Sequence, residues 1–512
     1  MLSIFTFKME NLLKYLSILL ILNWISLGYV YPQTESKEDW TWVLGSVIYS
    51  NKSTVNLLRF SEDTFEIETI EKFYGIANST SVLSDKNGLL RCFSNHCYVM
   101  NSSGDTIIGS SKLANHIQRK HTDCNTAKDW SFDESQLLLP MPDHPDKYVL
   151  VYTTEISEWE SSPKVLPFSA MVYSAEIDFE KNPNGEITSS WDLLTRDSVS
   201  PSCISACYKE NGKDWWVINP LDGEPCFSIQ EVTSEGIKHV RNQCVGDLTW
   251  PIHDLIGLSS FSPDRSKYAR YNCKHGLHLY DFDYKTGMLS NPRLIPNVIY
   301  LPYGGGFCFS PDSKLLYLFQ GMYLYQFNLE SSDIWASKIL IDSARYRDIN
   351  GAVTNFNQGR IAPDGKIYIS GASYHNSLHC ITKPNCLGQE CSVIQDYVIL
   401  PARNYFDVPK MPYFSTTYGK PTSCQSTEIS EADKEAINFY PNPTSHYFDM
   451  ELSALHSPKT FILQDQLGHQ IKKWQIPSGI KKYRVQIEDL SNGVYYLTQE
   501  NHFWNSKIVV IK

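Results

Sequence analysis

The 512-residue chain lacks most features that announce a chemistry. It contains no CxxC pair, no HExxH and no GxSxG. The signatures of a structural zinc site, a zinc protease and a nucleophile elbow are therefore missing. Gly304-Gly305-Gly306 has no Lys-Ser/Thr behind it, so it is no phosphate loop. Basic residues are outnumbered: 45 Lys and Arg against 56 Asp and Glu give a net charge of -11. A phosphate-backbone binder needs a basic face, so nucleic acid is excluded as a partner class. After residue 27 no long apolar run appears, and no second membrane span is expected. From about 37 to 425 no segment sustains a helical period. Cysteine is absent before Cys92 and after Cys424.

What is present begins with a leader. Lys8 and Lys14 precede the apolar stretch Tyr15 to Leu27, and cleavage is expected between Gly28 and Gln33. Residues 1–33 read as a secretory signal peptide, with Met9 as an alternative start. The competing reading is a single membrane anchor, but the run is shorter than the ~20 residues that span a bilayer. Export permits disulfides among the 13 cysteines. In LLRCFSNHCYVM a tight turn at Ser94-Asn95 would set Cys92 against Cys97 at a close, non-hydrogen-bonded position. Cys203 with Cys207, and two of Cys380, Cys386 and Cys391, are further candidate pairs. The odd total leaves at least one thiol over.

Short alternating stretches separated by turn residues fill the body: TWVLGSVIYS, KYVLVYT, DWWVINP, LLYLFQ and KIYISG. They predict many short strands. A repeat runs through them. FSPDRSKYARY starts at Phe261, FSPDSKLLYLF 48 residues later at Phe309, and IAPDGKIYISG 52 residues after that at Ile361. A weaker copy, SFDESQLLL, starts at Ser131. The turn residues are Pro263-Asp264, Pro311-Asp312 and Pro363-Asp364. Proline presets φ, and the aspartate can bond its own backbone two residues on, so each pair joins two strands in a hairpin. A period near 50 residues built of strands predicts a β-propeller, here of seven or eight blades over residues 34–425.

Several phrases also resemble a family of exported propeller proteins of gliding and host-associated Bacteroidota. They are SVLSDKNGLLRCFSNHCYVMNSSGDTI, PDHPDKYVLVYTT, KDWWVINP, GLSSFSPDRSKY and GLHLYDFDYKTGMLS. The resemblance implies architecture and carries no activity.

Residues 426–437 are polar and strand-poor and read as a linker. Beyond them, 438–512 holds six or seven short alternating strands without cysteine, which predicts a small Ig-like β-sandwich. Gly468 and Gly493 are expected at positive φ. This segment resembles the type A C-terminal sorting domain of the type IX secretion system. The residues that carry the likeness are Tyr440-Pro441-Asn442-Pro443, Leu463 to Asp465 with Gly468, Gly493 and Tyr495 in the LSNGVYYL strand, and Lys507 in the terminal KIVV. The resemblance implies that the secretion machinery is the partner of this domain. The cargo would then be secreted or held at the outer-membrane surface. The two prolines would keep the opening segment extended and remove two donors, blunting that edge.

No catalytic residue, metal ligand or cofactor is assigned. Cys273, His275 and His278 do not share one strand face. Asp281 and Asp283 do, but such pairs in strands usually serve turns. Of Trp215 and Trp216, one is expected in the core and the other between blades. Three Asp-Ser/Thr-aliphatic triplets, at Asp105, Asp197 and Asp342, resemble an O-glycosylation sequon of exported Bacteroidota proteins. The reading is an exported binding protein with an unknown protein or glycan ligand. The alternative is an exported lyase or hydrolase with its site at the channel mouth.

Overall fold

The computed structural model describes residues 36–512 apart from 46–52, 63, 73–79, 96, 118–134, 156–169, 248–256, 300–303, 345–354, 372–373, 406–407, 420–423, 425–437, 453–458, 466–469, 478–479 and 500–504. The leader lies outside the described residues, as does the linker. Two compact units divide between Cys424 and Gln425.

The first unit is a series of seven small antiparallel sheets among the described residues. In each, strands adjacent in sequence are adjacent in space. Sheet one holds β1 (Thr41–Leu44), β2 (Ser53–Phe60) and β3 (Phe65–Lys72), and sheet two β4 (Ser81–Ser84), β5 (Leu90–Ser94) and β6 (Val99–Asn101). Helix α1 (Ser110–Ile117) follows. Sheet three holds β7 (Gln136–Pro140), β8 (Lys147–Glu155), β9 (Ala170–Asp178) and β10 (Glu186–Leu193). Sheet four holds β11 (Ser205–Tyr208), β12 (Trp215–Pro220), β13 (Cys226–Thr233) and β14 (Gly236–Cys244). Sheet five holds β15 (Leu258–Phe261), β16 (Lys267–Asn272), β17 (Gly276–Asp283) and β18 (Met288–Ile295). Sheet six holds β19 (Gly306–Phe309), β20 (Leu315–Gln320), β21 (Tyr323–Asn328) and β22 (Ile339–Ser343). Sheet seven holds β23 (Gly359–Ile361), β24 (Ile367–Ile369), β25 (Tyr374–Ile381) and β26 (Val393–Tyr405). The architecture is all-β and propeller-like. No described helix is long and apolar enough to cross a membrane.

Burial explains the sequence texture. Second strands such as β12 and β20 are buried at every position, and they read as nearly continuous apolar runs. Last strands such as β14 are mostly solvent-facing and read as polar. Strands buried on both faces need a neighbouring sheet on each side. The Trp pair shows how. Trp215 stacks on Tyr208 at 3.8 Å and donates its indole N–H to Pro140 of sheet three. Trp216 faces the other way and donates to Tyr284, beyond β17 of sheet five. Both tryptophans therefore join sheets.

The first and last sheets meet as well. Tyr368 of β24 packs edge-on against Trp42 of β1 at 5.9 Å and against Phe60 of β2 at 5.6 Å. Asn56 of β2 exchanges two 2.9 Å hydrogen bonds with the backbone of Ala402 in β26. β26 reaches that far because it bulges: its pairing with β25 jumps from Asn404 to Ile399 while β25 advances from His375 to Ser377.

The second unit holds two sheets, β27 (Asn438–Tyr440), β28 (Tyr447–Glu451) and β31 (Lys482–Gln486) in one, and β30 (Gln470–Ile476), β29 (Lys459–Gln464), β32 (Gly493–Gln499) and β33 (Asn505–Val510) in the other. Phe448, Met450, Phe461, Leu463, Ile487 and Leu497 form the buried core.

Five sequence expectations need correction. Cys92 is a buried free thiol, while Cys97 is disulfide-bonded elsewhere. The reason is register: β5 pairs Cys92 with Asn101, so the hairpin turns through Asn95–Tyr98 and lifts Cys97 out of the ladder. Cys203, Cys207, Cys380 and Cys391 are also buried and form no disulfide among the described residues. The described bridges are Cys226–Cys244, directly opposed on β13 and β14, and Cys386–Cys424. Gly493 does not take positive φ; it opens β32 opposite Val510. Gly468 falls outside the described residues. The weak repeat at Ser131 is out of phase, because the strand behind it is a first strand, β7, and the true hairpin turn of sheet three is Met141 to Asp146.

Peptide mapping of the non-reduced protein should recover Cys226 linked to Cys244 and Cys386 linked to Cys424, with Cys92 alkylated once the chain is unfolded. A Cys92–Cys97 peptide would contradict the register.

Candidate functional site

The turns between the first and second strands of sheets five, six and seven share one design. Asp264, Asp312 and Asp364 each accept from the amide two residues on, at Ser266, Lys314 and Lys366, at 3.0–3.2 Å. The next residue sits left-handed: Arg265 at φ 63°, Ser313 at 62° and Gly365 at 77°. Pro263, Pro311 and Pro363 precede them. Two further turns use the same bond without proline, Asp85 to the Asn87 amide and Asn211 to the Lys213 amide. Sequence reading missed these because it keyed on Pro-Asp; the aspartate or asparagine side chain was the signal. Adjacent turns also interlock. Arg265 reaches back to the Lys209 carbonyl, and the Asp264 amide donates to Ser313.

The first strands surround a segment of the chain's own. After β26, residues 408–419 form a strap. The Lys410 amide donates to Thr80, and Ser81 donates its hydroxyl to the Lys410 carbonyl in a parallel bridge at the edge of β4. The Lys410 ammonium reaches Ser259 of β15, 2.7 Å away. Arg360 of β23 donates to the carbonyls of Met411 and Pro412 at 2.6 and 2.8 Å. Sheets two, five and seven thus hold one strap between them. A cavity of about 50 Å³ is left beside it, lined by Thr80, Ser260, Gln358 and Tyr413 among others. Gly305 lets the chain enter β19 here: it sits at φ 92°, and a Cβ would lie 2.7 Å from the Phe319 carbonyl oxygen.

The strap emerges where the first-to-second-strand turns lie. Tyr418 donates to the buried Asp39 carboxylate at 2.7 Å and accepts from the Phe414 amide. Gly419 donates to Pro363. Burial pushes the Asp39 carboxyl up to about 6, against the opposing pull of the Tyr418 bond and the Arg360 charge.

Beside this exit opens a cleft of about 560 Å³. Its walls are the turns of sheets two, three and four, with Asp85, Lys86, Asp143, His144 and Lys213 at the rim. Tyr148, Tyr208 and Phe414 lie deeper, and Glu38 and Ser415 to Thr417 close the inner wall. Asp143 is tied to Lys213 at 2.7 Å, which lowers its pKa. Burial drives the Tyr208 hydroxyl far above its ordinary value.

The other sequence candidates sit apart from the cleft. Asp281 pairs with Arg293 and Lys267, and Asp283 bonds the Lys285 amide of its own turn. His278 is buried and held neutral, its pKa pushed down to about 3 by burial and then by Arg270.

In the second unit, the opening motif stitches the last strand. Asn442 accepts from the Val509 amide at 2.8 Å. Thr444 donates to the Val509 carbonyl and accepts from the Ile511 amide. Residues 441–446 bend instead of running extended, and the outer edge of β33 is partly covered, contrary to the expected rigid extended opening. Both X–Pro bonds of the motif are cis. Tyr440 faces Asp449, which bonds Arg484 at 2.7 and 2.9 Å. Tyr495 donates to Ser491, and Lys507 pairs with Tyr496 across the ladder. Asp465 follows β29.

Residues 438–512 match the secretion system C-terminal sorting domain family. The chain thus carries a sorting domain of type IX secretion, which implies export to the cell surface or beyond. No curated protein sequence matches the chain. Solved structures similar to it are a 6-phosphogluconolactonase candidate from Bacteroides fragilis (12% identity, 74% of this chain and 100% of that one, TM-score 0.42), the periplasmic gluconolactonase of Pseudomonas aeruginosa (11%, 87% and 98%, 0.35) and the WD40 domain of Toxoplasma gondii coronin (9%, 66% and 79%, 0.33). Likeness this loose assigns no activity to the chain.

Asn442→Ala should leave the Val509 amide to water and lower the stability of the second unit by about 1 kcal/mol. Thermal melting of the full chain, followed through that unit, checks this; an unchanged midpoint would show that the stitch contributes nothing.

Proposed function

We propose that the protein is an exported, non-enzymatic binding protein, a seven-bladed propeller carried out of the cell by its C-terminal domain, with the 560 Å³ cleft as the ligand site. The leader of residues 1–33, the propeller of 34–425, the linker of 426–437 and an Ig-like sandwich of 438–512 are its parts. The observation that carries the reading is the strap: residues 408–413 cross the space between the first strands, where a propeller ligand would otherwise descend, bonded to β4, β15 and β23, and leave beside them a cavity of only about 50 Å³. What remains open is the cleft on the turn face. Its ionisable groups favour binding over catalysis. Asp143 is spent on Lys213, and Asp85 on the amides of Asn87 and Leu89. The mixture of rim charges over a tyrosine- and phenylalanine-bearing floor suits a polar polymer such as a glycan or a peptide. Release from the cell and retention at its surface both fit.

Two experiments test this. Cells expressing the chain truncated after Cys424 should lose surface delivery that the full gene supports; equal delivery would refute the sorting role. On glycan and peptide arrays, the purified chain should give signals that Lys213→Glu with Lys86→Glu reduces at least tenfold at unchanged melting temperature. Arrays with no signal, or signals indifferent to those changes, would remove the cleft from the account.

A further inference from the structure

The strap does two things at once. Residues 408–413 bridge sheets two, five and seven, while Phe414 and Ser415 to Thr417 form the inner wall of the cleft. Whatever holds the strap therefore sets the shape of the cleft. Along 408–413 the described bonds run from side chains and amides to backbone carbonyls, together with the Cys308 sulfur 3.8 Å from the Tyr413 hydroxyl and a ring contact of Arg360 over Tyr413 at 5.1 Å. None of these involves a group that titrates near neutrality. The exit differs. There, one hydroxyl gathers the chain: Tyr418 accepts from the amides of Phe414 and Ser415 and donates to Asp39. Asp39 belongs to the first described segment and Tyr418 to the last stretch of the first unit, so this one bond joins the two ends of that unit.

We propose that the strap is a catch on the inner wall of the cleft, and that the Asp39–Tyr418 bond is its pH-sensitive fastening. The inference concerns regulation of the site proposed above and rests on that reading. Asp39 is 2% exposed. The charged and titratable groups around it are Tyr418, the Arg360 guanidinium, its neighbour Glu38, Tyr208 of the cleft, and Glu62, which lines a cavity of about 160 Å³ over Asp39. Asp364 and Lys366, on the turn that receives Gly419, pair with each other. The Tyr418 hydroxyl, the Arg360 charge and a backbone hydrogen bond favour the charged carboxylate, and burial outweighs all three. A carboxyl at about 6 when fastened, and near 4 once the strap lifts and water reaches it, binds its proton more tightly in the fastened state. Fastening is then fullest below pH 4 and weakens as pH rises to 6, above which the penalty is constant. Two pKa units set a ceiling of about a hundredfold on the change in the open population.

The chain carries its own reporter. Cys308 of β19 lies under the strap with its sulfur 3.8 Å from the Tyr413 hydroxyl. Cys92, in the core of sheet two, is likewise a buried thiol whose pKa burial pushes up. Dividing the labelling rate of Cys308 by that of Cys92, with dithiodipyridine on the full chain, cancels the intrinsic pH dependence of thiols. From pH 4 to pH 7 the ratio should rise at least tenfold in the unaltered protein and stay flat in Asp39→Asn, whose amide oxygen still accepts from Tyr418. A flat ratio in the unaltered protein, or the same rise in Asp39→Asn, would overturn the catch. Should Asp39→Asn not fold, Tyr418→Phe serves: it should raise the ratio at pH 7, and no change there would equally overturn the proposal. No cleft ligand enters this assay, so a failed catch gives a flat ratio and a failed binding reading gives empty arrays.

Discussion

A row of small sheets stacked face to face has a problem at its two ends: the first and last sheets each present a bare face. The structure depends on how that pair is joined. Trp42 and Phe60 on one side and Tyr368 on the other bury the apolar faces against each other. The Asn56 exchange with Ala402 supplies two polar links, and the Asp39–Tyr418 bond a third. Burying an aromatic side chain is worth roughly 1.5–3 kcal/mol, so the hydrophobic seam supplies stability and the hydrogen bonds fix its register.

The strap follows from the same constraint. Having closed the last sheet at β26, the chain does not leave directly. It returns between the first strands, and its backbone amide and carbonyl groups are met by Thr80, Ser81 and Arg360. A buried segment without sheet partners would leave such groups unpaired, a cost of about 1–3 kcal/mol each. Arg360 is well suited to this: its forked donors reach two successive carbonyls at once. The result is a body with a filled middle, whose open concavity lies on the turn face. The second unit shows a smaller version of the same solution, with Asn442 and Thr444 covering the edge of β33.

Much of this was legible in the sequence. The Pro-Asp turns, their spacing and the apolar texture of the second strands gave the all-β, repeating body, because those signals are local. The C-terminal motif residues marked the sorting domain for the same reason. What stayed hidden was non-local. The Cys92–Cys97 pairing failed because register is set by cross-strand neighbours, here Asn101, and not by cysteine spacing. The turns at Asp85 and Asn211 were overlooked because proline was treated as the signal. Nothing in VPKMPYF marks a buried strap, since its partners Ser81, Ser259 and Arg360 are between about 50 and 330 residues distant. The cleft was equally invisible, being assembled from three turns and the strap.

Hydrogen–deuterium exchange of the strap peptide covering residues 408–419, in the intact chain at neutral pH, tests the central claim most directly. The account predicts protection of the Lys410 amide comparable to that of the inner strands β4 and β23. Exchange of that amide within seconds, as in a solvated surface loop, would contradict it.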